Sequence, residues 1–252
     1  PNKKVKTVFI WPEGVFINEN FYKNKKIKEL FQKNFSKNHL IIFGANTKKK
    51  NLSQDKYYNS MIVSDNNLKF VSKYDKRKLV PFGEFLPFES IFNSLGLKKI
   101  TPGYASFSKG EGNALLKFNF DQKKINILPL ICYEIIFPSL IEESINYNFL
   151  VNISEDAWFG KSIGPHQHFA KAIFRSIESD VFTLRAANMG VSAFISPEGK
   201  ILKNLQPNEI GNIELSLPIL KKEKNRIKND LIFLSVLITF MTIFLILRKF
   251  KI

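Results

Sequence analysis

Apolar residues recur along the chain in short runs rich in Val, Ile and Phe, separated by polar stretches. The runs are 5–11 (VKTVFIW), 39–45 (HLIIFGA), 59–64 (NSMIVS), 68–74 (LKFVSKY), 125–131 (INILPLI), 149–154 (FLVNIS), 183–188 (TLRAAN) and 191–196 (VSAFIS). Their length and composition predict strands, several of them buried on both faces. Between them, segments near 20–34, 138–147 and 165–179 show the spacing of amphipathic helices, the last opening on Pro165, which a first helical turn tolerates. The mixed order predicts a layered α/β domain over residues 1–216. No internal repeat and no Gly/Ser-rich linker divides that stretch.

One apolar segment differs from the rest. Residues 231–247 (LIFLSVLITFMTIFLIL) are 17 positions without a charge, and Ser235, Thr239 and Thr242 are their only polar side chains. As a helix this run is about 25 Å long, shows no polar face, and is flanked by Lys228, Arg248 and Lys249, whose ammonium and guanidinium groups can reach lipid headgroups. It predicts a transmembrane helix after a basic juxtamembrane linker (217–230) and before a basic tail (248–252). Five Lys or Arg precede the span in KKEKNRIKND and three follow it in RKFKI. By simple count the globular part would face the cytoplasm, but a long domain crosses a membrane largely regardless of charge.

Charge and cysteine usage narrow the classes. Lys and Arg number 38 against 22 Asp and Glu, a formal charge of +16. Only five of the basic residues are Arg (Arg77, Arg175, Arg185, Arg226, Arg248) and the Lys residues are scattered, so the bidentate readers of phosphate and base edges are scarce. This argues against nucleic acid as a partner and suits an anionic lipid surface. The single cysteine, Cys132, excludes an intramolecular disulfide and leaves a core filler or a reactive thiol.

Three reactive groups stand immediately beyond apolar strands. Glu13 lies in WPEG after VFIW, Lys76 in YDKRKLVPFGEF after LKFVSKY, and Cys132 in LICYE after INILPLI. Strand ends are where α/β sheets place ligand-handling groups. There a carboxylate can take the proton of a thiol, and an ammonium can stabilise thiolate and oxyanion. Singly, each has a plainer reading: Cys132 as a small core hydrophobe, Glu13 as a helix cap, Lys76 as part of a solvated basic run. Glu84, eight residues past Lys76 across a Pro-Phe-Gly turn, is placed to return and pair with that ammonium. A backbone N–H after Cys132 is placed to serve an oxyanion.

WPEG, YDKRKLVPFGEFLPFES, ICYEIIFP, NISEDAWFGKSIGPHQHFAKAIFRSIE and LRAANMGVSAFISPEGKI, in that order and followed by an apolar helix, closely resemble the nitrilase-like domain of bacterial apolipoprotein N-acyltransferases. The resemblance covers about residues 8–215 and the anchor. It implies an αββα sandwich of the carbon-nitrogen hydrolase class with a Glu-Lys-Cys triad falling on Glu13, Lys76 and Cys132, and residues needed for activity falling on Glu84, Tyr133 and Glu134. It also implies transfer of an acyl chain from membrane phospholipid, through a thioester on the cysteine, to the N-terminal diacylglyceryl-cysteine of a lipoprotein. The setting would be the bacterial inner membrane with the catalytic domain on the periplasmic side, with no cofactor and no metal. The family's preceding membrane helices and first strand and helix lie upstream of WPE, so the expectation is a fragment of a longer protein.

The apolar loop LVPFGEFLPF predicts that Phe82, Phe85, Leu86 and Phe88, with Trp158 and Phe159, ring the cleft mouth as substrate contacts, against the plain alternative of core packing. Other chemistries fare worse. His166 and His168 are two apart and lack a thiol or carboxylate cluster to complete a metal site. KGEGNA reads as a turn rather than a phosphate loop, no G-x-S-x-G elbow exists, and a glycosidase pairing of carboxylates would leave the thiol unexplained. The competing readings are a membrane-anchored amidase, in which water resolves the thioester, and an anchored binding domain with a dead site.

Overall fold

The computed structural model describes residues 1–51, 55–87, 106–112, 114–142, 146–219 and 227–249. It divides into two units, Pro1–Leu220 and Lys221–Ile252.

In the first unit the β-branched runs pair into two sheets. One has the order β1-β2-β3-β4, with β1 (Thr7–Ile10), β2 (His39–Lys49), β3 (Lys56–Ser64) and β4 (Phe70–Asp75). Here β1 runs parallel to β2, and the others are antiparallel. The second sheet has the order β10-β9-β8-β7-β6-β5, from β5 (Leu116–Phe120), β6 (Lys123–Ile131), β7 (Phe149–Glu155), β8 (Phe182–Asn188), β9 (Ser192–Ile195) and β10 (Ile201–Leu205). Strands β6, β7 and β8 are parallel, so their carboxyl ends share one edge.

Alternation along each strand assigns its side chains to layers. Ile42, Met61, Val63 and Tyr74 of the first sheet meet Leu116, Ile127, Ile131, Val151 and Ile153 of the second in an inter-sheet core. The opposite face of the first sheet (Ile41, Phe43, Ile62) is covered by Phe31 of α1 (Lys25–Asn34) and by Phe35. The opposite face of the second (Leu128, Leu130, Leu150) is covered by Phe169 and Ala172 of α3 (Gly164–Ser179), with Leu140 and Ile141 of α2 (Ser139–Glu142). The result is a helix-sheet-sheet-helix sandwich, the α/β class expected from the pattern.

Several boundaries differ from the sequence expectation. The helix expected from residue 20 starts at Lys25, because Asn24 accepts the backbone N–H groups of Lys26 and Ile27 and so caps it there; Phe21–Lys23 forms a separate 3-10 turn. The helix expected over 138–147 is described only for Ser139–Glu142, and 143–145 lie outside the described residues. Strands β5 and β10, with Lys and Asn between their apolar positions, were not expected at all.

In the second unit, α4 (Ile227–Lys249) contains a 19-residue stretch, Leu231–Lys249, long and apolar enough to cross a membrane. Its three hydroxyls bond back to carbonyls within the helix, Ser235 to Ile232, Thr239 to Ser235 and Thr242 to Ile238, which removes the polar obstacle to a lipid environment.

Candidate active site

Glu13 is carried by a loop that leaves β1 and lies directly on β2. Gly44 donates its N–H to the Pro12 carbonyl at 3.0 Å, and its own carbonyl accepts from Phe16 at 3.3 Å. A Cβ at Gly44 would stand 2.5 Å from the Glu13 Cα, so only glycine lets the loop approach this closely. The Glu13 carboxylate is held on both oxygens: Oε2 accepts the Glu155 N–H at 2.9 Å, and Oε1 accepts from Asn59 Nδ2 at 2.6 Å.

Lys76 follows the last residue of β4. Its N–H donates to the Asn59 carbonyl and its own carbonyl accepts from Gly110, each at 2.8 Å. A Cβ at Gly110 would meet the Asp75 carbonyl oxygen at 2.1 Å, which gives the glycine of KGEGNA a packing role beside Lys76. The Lys76 side chain is 1% exposed, and its Nζ lies 2.9 Å from Glu84 Oε1 and 3.6 Å from Glu13 Oε1. Glu84 reaches back because the chain turns sharply after Val80: Glu84 donates its N–H to the Val80 carbonyl, Phe82 donates to Phe85, and Glu84 Oε2 accepts the Val80 N–H at 2.9 Å. Asn59 Nδ2 also donates to Glu84 Oε1 at 2.9 Å, so one amide spans the two carboxylates.

Cys132 comes from the opposite sheet, one residue beyond β6, with a left-handed backbone (φ 50°) at the start of the 3-10 turn Cys132–Ile136. Burial raises the pKa of its thiol, Glu13 pushes it further, and Lys76 and a hydrogen bond with Ser154 draw it back; the balance leaves it at about 12. The resting sulfur is therefore a neutral thiol that needs a base. For Lys76, burial opposes the charge, but Glu13 and then Glu84 outweigh it and hold the ammonium's pKa above its ordinary range.

Glu134 is fully buried away from solvent. Its Oε1 accepts from the Tyr74 hydroxyl at 2.8 Å and from the N–H groups of Arg77 (2.7 Å) and Lys78 (3.0 Å), while Oε2 accepts from Ile131 N–H at 2.9 Å. It ties the loop after Lys76 to the strand end before Cys132, across the two sheets. Burial raises the pKa of its carboxyl, against the pull of Lys76 and the three N–H groups. Tyr133 packs edge-on against Phe137 and, with Arg77, Lys78, Leu79, Pro81, Phe85, Phe107 and Lys109, lines a cavity of about 460 Å³ that the chain enters one residue after Cys132.

Among the apolar candidates at the cleft mouth, Phe82, Trp158 and Phe159 are exposed, Trp158 by 65%. Phe85 is partly buried in the cavity wall and Leu86 is buried, while Phe88 lies outside the described residues.

Residues 14–219 match the carbon-nitrogen hydrolase family, a span that contains Lys76 and Cys132 and begins one residue after Glu13. The chain belongs to the carbon-nitrogen hydrolase family. It is similar to the apolipoprotein N-acyltransferases of Rickettsia prowazekii (36% identical over 212 residues, 84% of this chain and 42% of that protein) and Caulobacter vibrioides (32% over 219 residues, 84% and 41%). The chain thus spans about two-fifths of the length of these relatives. Among solved structures, Nit3 of Saccharomyces cerevisiae matches with a TM-score of 0.51 at 20% identity, covering 81% of this chain and 74% of that one. An amidase of Nesterenkonia sp. AN1, carrying an acetamide moiety on its active-site cysteine, matches at 0.51 and 12%, covering 79% and 73%. These two likenesses carry the carbon-nitrogen hydrolase fold.

Sequence reasoning passed over Asn59 and the polar side chains behind Cys132. Asn59 opens the run NSMIVS and is buried, and an amide in a strand whose other buried polar side chains are the small hydroxyls Ser60 and Ser64 is the signal that marks it. His168 was weighed only as a metal ligand.

Proposed function

We propose that this chain is the catalytic portion of an apolipoprotein N-acyltransferase, with Glu13, Lys76 and Cys132 as its triad. The observation that carries the chemistry is a buried ammonium within 3.6 Å of two carboxylates, beside a thiol pushed up to about 12. Glu13 takes the thiol proton as sulfur attacks the acyl carbonyl of a phospholipid. Lys76 and the Tyr133 N–H stabilise the tetrahedral oxyanion. Collapse returns the proton from Glu13 to the departing alcohol, leaving a thioester and a lysophospholipid. The α-amine of a diacylglyceryl-cysteine then attacks the thioester, Glu13 again takes a proton, and Cys132 leaves as thiol with the amide formed. Glu84 holds Lys76 in place, and Glu134 fixes the loop that carries it.

The relatives' names support this acyl donor and acceptor, as does the apolar helix α4, since a diacyl lipid resists leaving its bilayer by about 0.8 kcal/mol per CH₂. Exposed Phe82, Trp158 and Phe159 suit a mouth applied to lipid. Arg77, Lys78 and Lys109 around an otherwise apolar cavity suit a phosphate headgroup with its acyl chain. The working position is the inner membrane with the catalytic domain on the periplasmic side.

The test is mass spectrometry of Cys132 after incubation with phospholipid vesicles, followed by addition of a diacylglyceryl-cysteine peptide. The expected result is a long-chain acyl group on Cys132 that passes to the peptide amine. Absence of the thioester, or its loss to water at the same rate with and without peptide, would favour an amidase instead.

A further inference from the structure

A buried polar cluster behind the nucleophile gives and takes no proton in these steps, although its Ser154 hydrogen-bonds the thiol. It occupies the outer face of the second sheet, where β7 and β8 meet α3. Asp156 Oδ1 accepts from Ser154 Oγ at 2.6 Å and lies 2.9 Å from His168 Nδ1, and its Oδ2 accepts from Arg185 Nη2 at 2.6 Å. Arg185 also donates to Asn152 Oδ1 and, through Nε, to the Val191 carbonyl at 3.1 Å. All five side chains are buried. Burying a carboxylate and a guanidinium costs more than packing apolar groups of the same volume, so adhesion of helix to sheet is a poor account of the cluster.

The cluster ends on the backbone around Cys132. Asn152 Nδ2 donates to the Leu130 carbonyl at 2.9 Å, and His168 Nε2 lies 3.1 Å from the Cys132 carbonyl oxygen. A carbonyl only accepts, so Nε2 carries the hydrogen.

We propose that His168, oriented by Asp156 and Arg185, is a positioning residue that locks the Cys132–Tyr133 peptide plane. The trans peptide is planar, so the Tyr133 N–H points opposite to the held carbonyl, away from His168. One hydrogen bond thereby sets the direction of the N–H assigned to the oxyanion and holds Cys132 at φ 50°, a conformation a non-glycine residue keeps only when its surroundings impose it. The mount is rigid. A Cβ at Gly190 would stand 2.1 Å from Asp156 Oδ2, so the turn after β8 packs directly on the carboxylate, and the Phe159 ring covers the imidazole at 5.5 Å.

The inference rests on Cys132 forming an acyl-enzyme, and the test compares two reactions of that thiol in the full chain in detergent micelles. Iodoacetamide alkylates sulfur by displacement and builds no oxyanion. p-Nitrophenyl butyrate acylates it through a tetrahedral oxyanion and releases p-nitrophenolate, with no phospholipid involved. His168→Phe is expected to slow acylation at least about thirtyfold more than alkylation, approaching the roughly 10²- to 10³-fold lost when an oxyanion donor is removed outright. His168→Gln, which keeps an N–H at the reach of Nε2, is expected to recover acylation to within about fivefold of the parent. Equal losses in both reactions, or a His168→Gln variant as slow as His168→Phe, would overturn the proposal. Should His168→Phe fail to melt cooperatively, Asp156→Asn must show the same split in milder form, and its absence counts against the proposal equally. A parent chain that is alkylated but never acylated removes the acyl-enzyme reading itself, which separates that failure from this one.

Discussion

Lys76 sets the electrostatics of the cleft, because its ammonium is buried and both its carboxylate partners are anchored by other donors. Replacing it with Arg supplies charge but not shape: the planar guanidinium is too large for a site 1% exposed. We expect Lys76→Arg to form thioester at least about 10²-fold more slowly, and Glu13→Gln to lose about 10²- to 10⁴-fold, both read by quenched mass spectrometry. The thiol itself gives a pH signature. A pKa raised from 9.0 to about 12 favours the protonated folded form, a contribution fully present below about pH 9 and lost as pH rises toward about 12. Alkylation of Cys132 by iodoacetamide should therefore still be climbing at about pH 10, where an ordinary thiol has levelled off; a plateau near pH 9 would contradict it. Glu134→Gln turns one acceptor into an NH₂ group facing the Ile131 N–H, and the buried donor left without a partner costs about 1–3 kcal/mol. The melting temperature should drop by several degrees, with acylation falling as the Lys76 loop loosens.

Two glycines let separate elements converge on the charged residues: Gly44 of β2 under Glu13, and Gly110 beside Lys76. Gly44→Ala is expected to displace Glu13 and cut thioester formation by about tenfold or more while the sheet persists, as judged by circular dichroism. Much of this architecture was legible beforehand, since buried runs such as HLIIFGA and INILPLI admit little besides strands. Strands β5 and β10 were not, because their solvent-facing Lys and Asn dilute the apolar signal and their pairing partners fix them. Glu13, Lys76, Glu84 and Cys132 could be named because each follows a strand or a turn with a recognisable motif. Asn59 and the Asp156–His168–Arg185 cluster could not, since their meaning lies in contacts 12 to 46 residues apart in sequence. A pair such as His166 and His168 shows only local spacing, which argues against a metal and says nothing of the carboxylate and carbonyl that His168 meets in the fold.

At the scale of the whole molecule, α4 is long and apolar enough to anchor the chain in a membrane. Its 23 residues make a helix about 34 Å long, with hydroxyls satisfied internally. Placing Lys at Leu237 and Asp at Phe240 should cost about 5–7 kcal/mol of insertion. The parent chain is expected to stay in the pellet after alkaline carbonate extraction of membranes, and the double variant to move to the supernatant. A different consequence follows from the trio of Glu13, Lys76 and Glu84. In the proposed reaction Glu13 takes the proton of Cys132, so the negative charge moves from carboxylate to sulfur and the cleft's total charge is the same before and after. The surrounding ions therefore have almost nothing to reorganise around during that step. Added salt should weaken capture of the chain by anionic vesicles, yet leave the rate of acylation by a soluble neutral ester nearly unchanged: a flat kinetic salt effect from a protein carrying a formal charge of +16.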